Sequence, residues 1–517
     1  MARINTNIPS LIAQTNLTRN NSDLNVRLER LSTGLRINRG GDDPAGLIIS
    51  ERIRSDISGV NQGIKNSQRA SSVISTTEAS LAEVNDLLTS IRALLVESAN
   101  TGASSAEERE ANQLQIDSAI DSITRISNTA SFGGLKMLDG SLDYRLSGLA
   151  TSAISIANIR SATLINNQPL QVNVDVITSA QFGSVFMSGH GGVIMSTMTI
   201  EIAGAKGARE FQFLSGTSLT SVAAAINQLS EFTGVQAALI NGNAASGIYF
   251  RSTDFGDDNF VSVRRQDKPT VSSSDSFQTY KLLDTSAFVT GGSFNWSGFV
   301  TGGNLVSADI DYGRDVAALV NGNLATGKGL EVSVNSSSLA ARILLNQDLA
   351  TTPTATASSF YITGGGSLFQ LGPNVTPLQQ TAMGIASVSA SRLGATQTTN
   401  GLEFLTSLKQ GGNNDIGASA GRNDFSTAED ILSRAIDDVT QMRGRLGAFE
   451  RNVLDTNVRS LQSQFENLTA SESAIRDADF AAETSLLTRS QVLVSANTSS
   501  LQLANAQAQQ VLQLLQG

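Results

Sequence analysis

The C-terminal segment of the chain, residues 480–517, reads FAAETSLLTRSQVLVSANTSSLQLANAQAQQVLQLLQG. Apolar or small residues recur in it every seven positions, and two further residues fill a second position of the repeat; the set is Phe480, Leu487, Val494, Leu501, Ala508 and Leu515, with Ala504 and Val511. A repeat of this kind predicts a long helix whose apolar stripe packs against other helices. No Pro or Gly interrupts it before Gly517, so the predicted helix is continuous.

The N-terminal segment carries a matching apolar stripe. Its leucines are spaced at seven, four, three and four residues, at Leu17, Leu24, Leu28, Leu31 and Leu35. This spacing predicts a helix that ends at Gly34 or soon after. Asp42 or Asp43 is then the expected cap of a second helix, because Pro44 suits a first helical position. The second helix continues the seven-residue repeat, with a weak point at Ser67.

Helical patterns return near the C-terminus. From Thr427 onward apolar residues again recur at steps of seven, or of four and three, and the stripe shifts by one residue near Val453. Both ends of the chain are therefore too apolar along one face to stand alone. We expect them to pack against each other.

The middle of the chain, between about residues 150 and 400, is poor in charge and rich in Gly, Ser, Thr and Asn. Alternating runs at 170–176, 198–202 and 260–263 predict strands, and short helices are expected at 219–227 and 315–320. The arrangement suggests two α+β modules that protrude from the helical part.

Length and composition exclude several classes of protein. At 517 residues the chain is expected to form several domains. It has no cysteine, so disulfides and thiolate metal sites are excluded. With 46 acidic and 36 basic residues, it does not suit nucleic-acid binding. No apolar run approaches the length of a membrane span, and no cleavable signal peptide is expected.

The sequence offers no set of catalytic or metal-binding residues. His190 is the only histidine, and it lies in a Gly-rich stretch that is typical of a turn. The carboxylate pairs Asp42/Asp43 and Asp257/Asp258 are explained by a helix cap and a solvated loop. We therefore expect no enzyme activity, no metal and no cofactor.

Several short motifs are similar to those of the bacterial flagellins. They are Ile4–Asn7, Leu28–Asn38, Asp42–Gly46, Ser98–Asn100, Phe132–Lys136, Arg445–Ala448, Glu466–Leu468 and Ile475–Asp479. The resemblance covers roughly residues 1–145 and 425–517, and it is thinner in between. The alternatives are a hook-filament junction protein, whose terminal patterns are similar, a membrane-active translocator and an enzyme carried in the middle region.

The resemblance implies an α+β multidomain protein with a long α-helical coiled-coil core built from both termini and central β-rich α+β outer domains. Inner terminal helices are expected at 1–44 and 480–517, an outer helical bundle at 45–150 and 425–479, and variable surface domains at 151–424, in modules of about 151–305 and 306–400. It also implies a subunit that polymerises with itself into the flagellar filament for motility. Such a subunit is exported unfolded by the flagellar type III system to the cell exterior.

The resemblance further implies partners and contact residues. The partners are an export chaperone on the C-terminal helix and the filament cap and hook-junction proteins; neither nucleic acid nor a membrane is expected. The subunit-interface residues are Leu24, Leu28, Leu31, Leu35, Leu487, Val494, Leu501, Ala504, Ala508, Val511 and Leu515.

An immune-receptor motif is also implied, because many flagellins are detected by an animal Toll-like receptor through the helix that corresponds to residues 89–96. Arg92 and Leu94 match the family pattern, but Ser90 stands where arginine is expected and Gln115 stands where glutamate is common. Serine cannot offer the planar, multi-donor group of arginine. We therefore predict only weak receptor contact.

Overall fold

The computed structural model describes residues 6–164, 168–189, 191–267, 278–283, 296, 304–352, 357–398, 401–417 and 425–516, the last six of these by their backbone alone. The chain forms two compact units. The terminal unit comprises Met1–Ser72, Phe369–Thr381 and Ala448–Gly517, and the central unit comprises Val73–Leu368 and Ala382–Gly447.

The helices of the described residues are α1 Ile8–Thr33, α2 Pro44–Ala99, α3 Ala106–Thr129, α4 Leu219–Asn227, α5 Ser230–Thr233, α6 Gln347–Thr351, α7 Ser426–Phe449, α8 Asp455–Arg476 and α9 Phe480–Gln516. A π-turn at Glu450–Leu454 joins α7 to α8.

The strands are β1 Ser131–Phe132, β2 Leu135–Lys136, β3 Tyr144–Ser147, β4 Ile154–Ala162, β5 Leu170–Thr178, β6 Ser184–Met187, β7 Met198–Gly204, β8 Gly207–Phe213, β9 Val235–Leu239, β10 Ile248–Ser252, β11 Phe260–Arg265, β12 Thr279–Leu282, β13 Leu305–Ser307, β14 Ile310–Tyr312, β15 Ala317–Val320, β16 Asn323–Lys328, β17 Glu331–Asn335, β18 Leu339–Leu345, β19 Ser358–Gly365, β20 Ser367–Gln370, β21 Gln380–Met383, β22 Thr396–Thr398 and β23 Gly401–Glu403. Helices at both ends and strands between them confirm the predicted fold class.

The boundaries of the first two helices follow from their capping residues. The N–H of Gly34, at φ 73°, donates to Arg30 O at 2.9 Å and ends α1 where the sequence predicted. Asp43 caps α2, since its Oδ1 accepts the N–H of Gly46 at 2.9 Å. Asp42 instead accepts the N–H groups of Asn38 and Arg39 in the preceding loop.

Two irregular positions of the helical patterns have structural counterparts. Ser67, the weak point of the repeat in α2, is buried; its hydroxyl donates to Gly63 O at 2.9 Å and accepts from Asn457 Nδ2 at 3.0 Å. The one-residue shift predicted near Val453 falls within the π-turn. A π-turn holds one more residue than an α-turn, which is why the stripe changes register there.

The largest sheet of the central unit has eight strands, in the order β3-β19-β5-β15-β16-β17-β18-β4. Every neighbouring pair in it is antiparallel. Alternate residues face one core, in which Val172, Ile343 and Phe360 are fully buried. The sheet combines strands from residues 144–178 with strands from 317–365, so it crosses the module boundary expected near residue 305.

The predicted helix at 315–320 is wrong, because residues 317–320 form β15. Val316, Ala318 and Val320 are buried in alternation, and β15 pairs with β5 and β16. The turn to β16 is an Asn-Gly pair, with φ 50° at Asn321 and φ 78° at Gly322, which favours a tight hairpin. The alanine-rich run fits a sheet interior that leaves little space for larger side chains.

Residues 179–313 form an insertion between β5 and β15. It contains a five-stranded sheet, β13-β12-β6-β10-β9, and a four-stranded sheet, β14-β11-β7-β8, which share a core with α4. The two ends of the insertion lie together: Gln181 and Arg314 exchange both backbone hydrogen bonds, each at 2.9 Å. This antiparallel bridge closes the insertion at its base, where the Arg314 side chain also donates to Ser179 O and Oγ, each at 3.0 Å.

Candidate assembly surfaces

The helices α1 and α9 of the terminal unit lie side by side and run antiparallel. At one end Asn7 Nδ2 donates to Ala504 O at 3.1 Å, and Ser10 Oγ donates to Asn505 Oδ1 at 2.8 Å. At the other end the N–H of Arg36 donates to Arg476 O at 2.7 Å. The two ends of the chain therefore pack against each other, as the sequence predicted.

An ionic cluster joins the two helices near the end of α1. Arg27 Nη1 donates to both carboxylate oxygens of Glu483 at 3.1 Å, and Arg30 Nη1 donates to Glu483 Oε1 at 3.2 Å. The Glu483 side chain is only 9% exposed. Sequence reasoning missed these residues. The available signal was a basic last turn of α1 and an acidic first turn of α9, which complement the two helix dipoles.

The predicted interface residues divide into three groups. Those that are half-buried are Leu24, Leu31, Leu35, Leu487, Val494, Leu501 and Ala504. Leu28 and Ala508 are exposed. The side chains of Val511 and Leu515 lie outside the described residues. The half-buried group shows that the repeat of each helix is covered only in part within one chain.

Further apolar side chains of α1 and α9 are exposed. Phe480, which begins the repeat of α9, is 67% exposed. The others were not selected by the heptad analysis; on α1 they are Ile8, Leu11 and Ile12, and on α9 they are Val492, Leu493 and Leu503, with exposures between 40% and 63%. An exposed apolar surface of this extent on a helix pair is typical of a protein–protein interaction site. A single-seam description of α9 was therefore too narrow.

A hairpin segment of the terminal unit, residues 369–381, packs on α2. Gly59 and Gly63 form the contact: a Cβ at Gly59 would lie 3.0 Å from Pro373 Cβ, and one at Gly63 would lie 3.0 Å from Leu371 O. The two glycines thus let the segment approach the helix backbone. Beyond the contact, Val375 is 85% exposed and Leu378 is 98% exposed.

The immune-motif positions lie on α2 and α3 in the central unit. Ser90 and Gln115 are exposed, and Leu94 is half-buried. Arg92 is 52% exposed and pairs with Glu429 Oε1 at 2.6 Å. The arrangement leaves Ser90 accessible, so an arginine placed there would point to solvent.

The described part of the chain contains no group of three or more His, Asp or Glu side chains that could hold a metal ion. Among the helices described, none is both long and apolar enough to cross a bilayer. His190 lies outside the described residues.

Family models match both ends of the chain. Residues 4–143 match the bacterial flagellin N-terminal helical region, and residues 430–515 match the bacterial flagellin C-terminal helical region. The chain belongs to the bacterial flagellin family. Flagellins are structural proteins, and the relatives support the role of a flagellar filament subunit.

The similarity to other flagellins extends across the chain. The B-type flagellin of Pseudomonas aeruginosa is 29% identical over 99% of both chains, and the flagellin of Salmonella rubislaw is 27% identical over 99% of both chains. The solved structure of FliC from Burkholderia pseudomallei is 14% identical, with 74% of this chain and 99% of that chain covered at a TM-score of 0.25. The named relatives are flagellins and lend no support to the hook-junction alternative.

Proposed function

We propose that this flagellin polymerises with copies of itself through α1 and α9 to build the filament that drives bacterial motility. The observation that carries the proposal is the half-covered apolar surface of the helix pair. Leu11, Ile12 and Val492 are all more than half exposed. Packing against helices of neighbouring subunits removes such side chains from water at about 25 cal/mol per Å² of apolar surface.

The proposal includes the route and the site of assembly. The subunit leaves the cell unfolded through the flagellar type III system and adds to the growing filament outside. Residues 1–44 and 480–517 form the inner core, residues 45–150 and 425–479 form the outer helical bundle, and residues 151–424 form the surface. A two-helix pair with so little fully buried apolar area offsets the entropy of ordering poorly, which favours folding coupled to assembly.

Three classes of partner belong to the same proposal. An export chaperone covers the apolar face of α9 before secretion, and the filament cap and the hook-junction proteins contact the subunit at the two ends of the filament. Contact with the innate immune receptor is weak, because Ser90 lacks the arginine group. Ser90→Arg should raise reporter-cell activation; activation by the unmodified protein equal to that of an arginine-bearing flagellin contradicts this part.

Truncation tests the main proposal. Removal of residues 480–517 should leave a soluble chain with a folded central unit that forms no filaments in electron micrographs. Ala508→Glu is the milder variant, because it places a charge on a surface expected to be dry in the filament. Filaments of normal length and yield from the truncated chain would refute the proposal, and normal filaments from Ala508→Glu would leave Ala508 on the outer surface.

Limited proteolysis tests the coupling of folding and assembly. Residues 1 to about 40 and 480–517 should be cleaved in the monomer and protected in the filament, since their apolar faces lack partners in the free chain. Equal resistance in both states contradicts the coupling but leaves polymerisation untouched.

A further inference from the structure

The insertion, residues 179–313, makes a second contact with the rest of the central unit, apart from the bridge at its base. The hydroxyl of Ser426, the first residue of α7, donates to Glu231 Oε2 at 2.9 Å. Glu231 lies on α5, within the insertion. The two residues are 195 positions apart in the sequence, so the contact joins two parts of the chain that fold from different segments.

The helix that carries Glu231 is fixed on the sheet beside it. A Cβ at Gly204 would overlap Thr233 O, and a Cβ at Gly207 would lie 2.9 Å from Phe232 O. These two glycines therefore let α5 pack directly against the backbone of β7 and β8. Glu231 is thus presented by a packed element and not by a free loop.

Lys206 adds a charge to the contact from the turn between β7 and β8. Its Nζ lies 3.6 Å from Glu231 Oε2, the same oxygen that accepts from Ser426. The stem of Lys206 crosses the end of α5, where a Cβ at Gly234 would lie 3.4 Å from Lys206 Cγ. One carboxylate oxygen thus serves both the hydrogen bond and the ion pair.

The first turn of α7 is itself attached to the helical part of the central unit. Glu429 Oε1 pairs with Arg92 Nη2 of α2 at 2.6 Å, and Phe425 and Ala428 are buried. The N-terminus of a helix also favours a nearby carboxylate, because the helix dipole is positive there. Glu231 therefore docks on a fixed point of the helical part.

Charges of the insertion also reach Asp430 of α7. Burial raises the pKa of the Asp430 carboxyl, and the charges of Asp254 and Glu231 raise it as well, whereas those of Lys206 and Arg434 lower it. Asp254, Glu231 and Lys206 belong to the insertion. The insertion thus both attracts and repels this part of α7, which keeps the contact weak.

We propose that Glu231 is a reversible latch that holds the insertion against the first turn of α7 and opens without unfolding either part. With the latch closed, the insertion is held at two places, its base and Glu231. With the latch open, the base alone holds it, and the insertion can tilt. Exposed ion pairs stabilise a structure only weakly, and domains joined by small polar contacts move relative to each other.

A distance measurement by double electron–electron resonance tests the latch in the full-length monomer. The chain has no cysteine, so spin labels at Thr220→Cys on α4 and Thr440→Cys on α7, both exposed positions, report a single distance. A narrow distance distribution is expected. Glu231→Ala should broaden it and raise the share of open molecules about fivefold, the usual weight of an exposed ion pair and a hydrogen bond. Ser426→Ala, which removes only the hydrogen-bond donor, should have a smaller effect in the same direction.

The matched control is Glu210→Ala. Glu210 is an exposed glutamate of the same insertion, on β8, and its loss should leave the distance distribution unchanged. Circular dichroism establishes that each variant is folded; if Glu231→Ala does not fold, Ser426→Ala carries the test. A distribution that is the same with and without the Glu231 and Ser426 side chains overturns the proposal, and so does equal broadening by Glu210→Ala.

Hydrogen exchange separates a latch from a residue of the folded core. In Glu231→Ala the amides of β7 and β11 should exchange at unchanged rates, because the insertion moves as one body. Faster exchange throughout these strands would mean that Glu231 stabilises the insertion itself, and it would overturn the latch.

Discussion

The eight-stranded sheet and the α1–α9 pair bury their apolar side chains to very different degrees. In the sheet Val172, Ile343 and Phe360 are fully enclosed by residues of the same chain. In α1 the described apolar residues other than Ala13 keep part of their surface, and among the side chains described for α9, those before residue 511, the buried ones are Glu483 and Ser490. The strands thus complete a core within one chain, whereas the helices leave much of their apolar surface exposed within one chain.

The largest expected loss of stability lies in the sheet. Phe360→Ala should lower the free energy of unfolding of the monomer by about 4 kcal/mol, because it opens a cavity in a closed core. Tyr361→Ala is the control: the next residue faces the other side and is 42% exposed, so its loss should be much smaller. Denaturant unfolding measures both, and similar losses for the two variants would contradict the one-sided core.

The next effect lies in the helix pair. Glu483→Ala leaves Arg27 and Arg30 without their anion and should destabilise the pair by about 3 kcal/mol. Because we propose that the pair is ordered in the filament, the measurement is the temperature at which filaments depolymerise. Glu466→Ala, at an exposed position of α8, should leave that temperature unchanged. Equal depolymerisation temperatures for the two variants would show that the ionic cluster does not stabilise the filament.

A smaller effect is expected where the hairpin segment packs on α2. Gly63→Val would place atoms against Leu371 O and Leu461 Cδ1, at 3.0 and 3.1 Å from the new Cβ, and should reduce stability by about 2 kcal/mol. Gly444→Ala, with nothing within 4 Å of the new Cβ, should be neutral or stabilising. Proteolysis within residues 369–381 should increase in the first variant alone. Unchanged cleavage would show that residues 369–381 can pack on α2 without a glycine at position 63.

The smallest effect on the monomer is expected at the tip of that segment. Leu378→Ser should change the free energy of unfolding by less than about 0.5 kcal/mol, since the side chain is 98% exposed. Filament yield should fall nonetheless if the tip meets a second copy of the chain. Lower monomer stability would contradict the exposure, and unchanged yield would place the tip on the free surface.

Sequence reasoning succeeded where the pattern is long. The end of α1 at Gly34, the cap at Asp43 and the register shift near Val453 all followed from local periodicity and capping. Each of these features depends on residues within a few turns of one helix. The stripe of α9 was predicted for the same reason.

Sequence reasoning failed where the local structure depends on residues that are distant in the chain. Residues 315–320 read as a helix because alanine favours helices, but pairing with β5 and β16 decides their structure. The Glu483 cluster joins residues 456 and 453 positions apart in the sequence, which no local pattern reveals.

The bridge between Gln181 and Arg314 brings the two ends of the inserted segment together at one place beside the sheet. Two residues that exchange both backbone hydrogen bonds hold their Cα atoms about 5.5 Å apart. A foreign domain whose own termini are that close matches this spacing, and its insertion in place of residues 182–313 would cost the sheet the packing of Phe255 and the ion pair between Lys328 and Asp258. The identity of the inserted segment and the integrity of the sheet are then separable in one polypeptide.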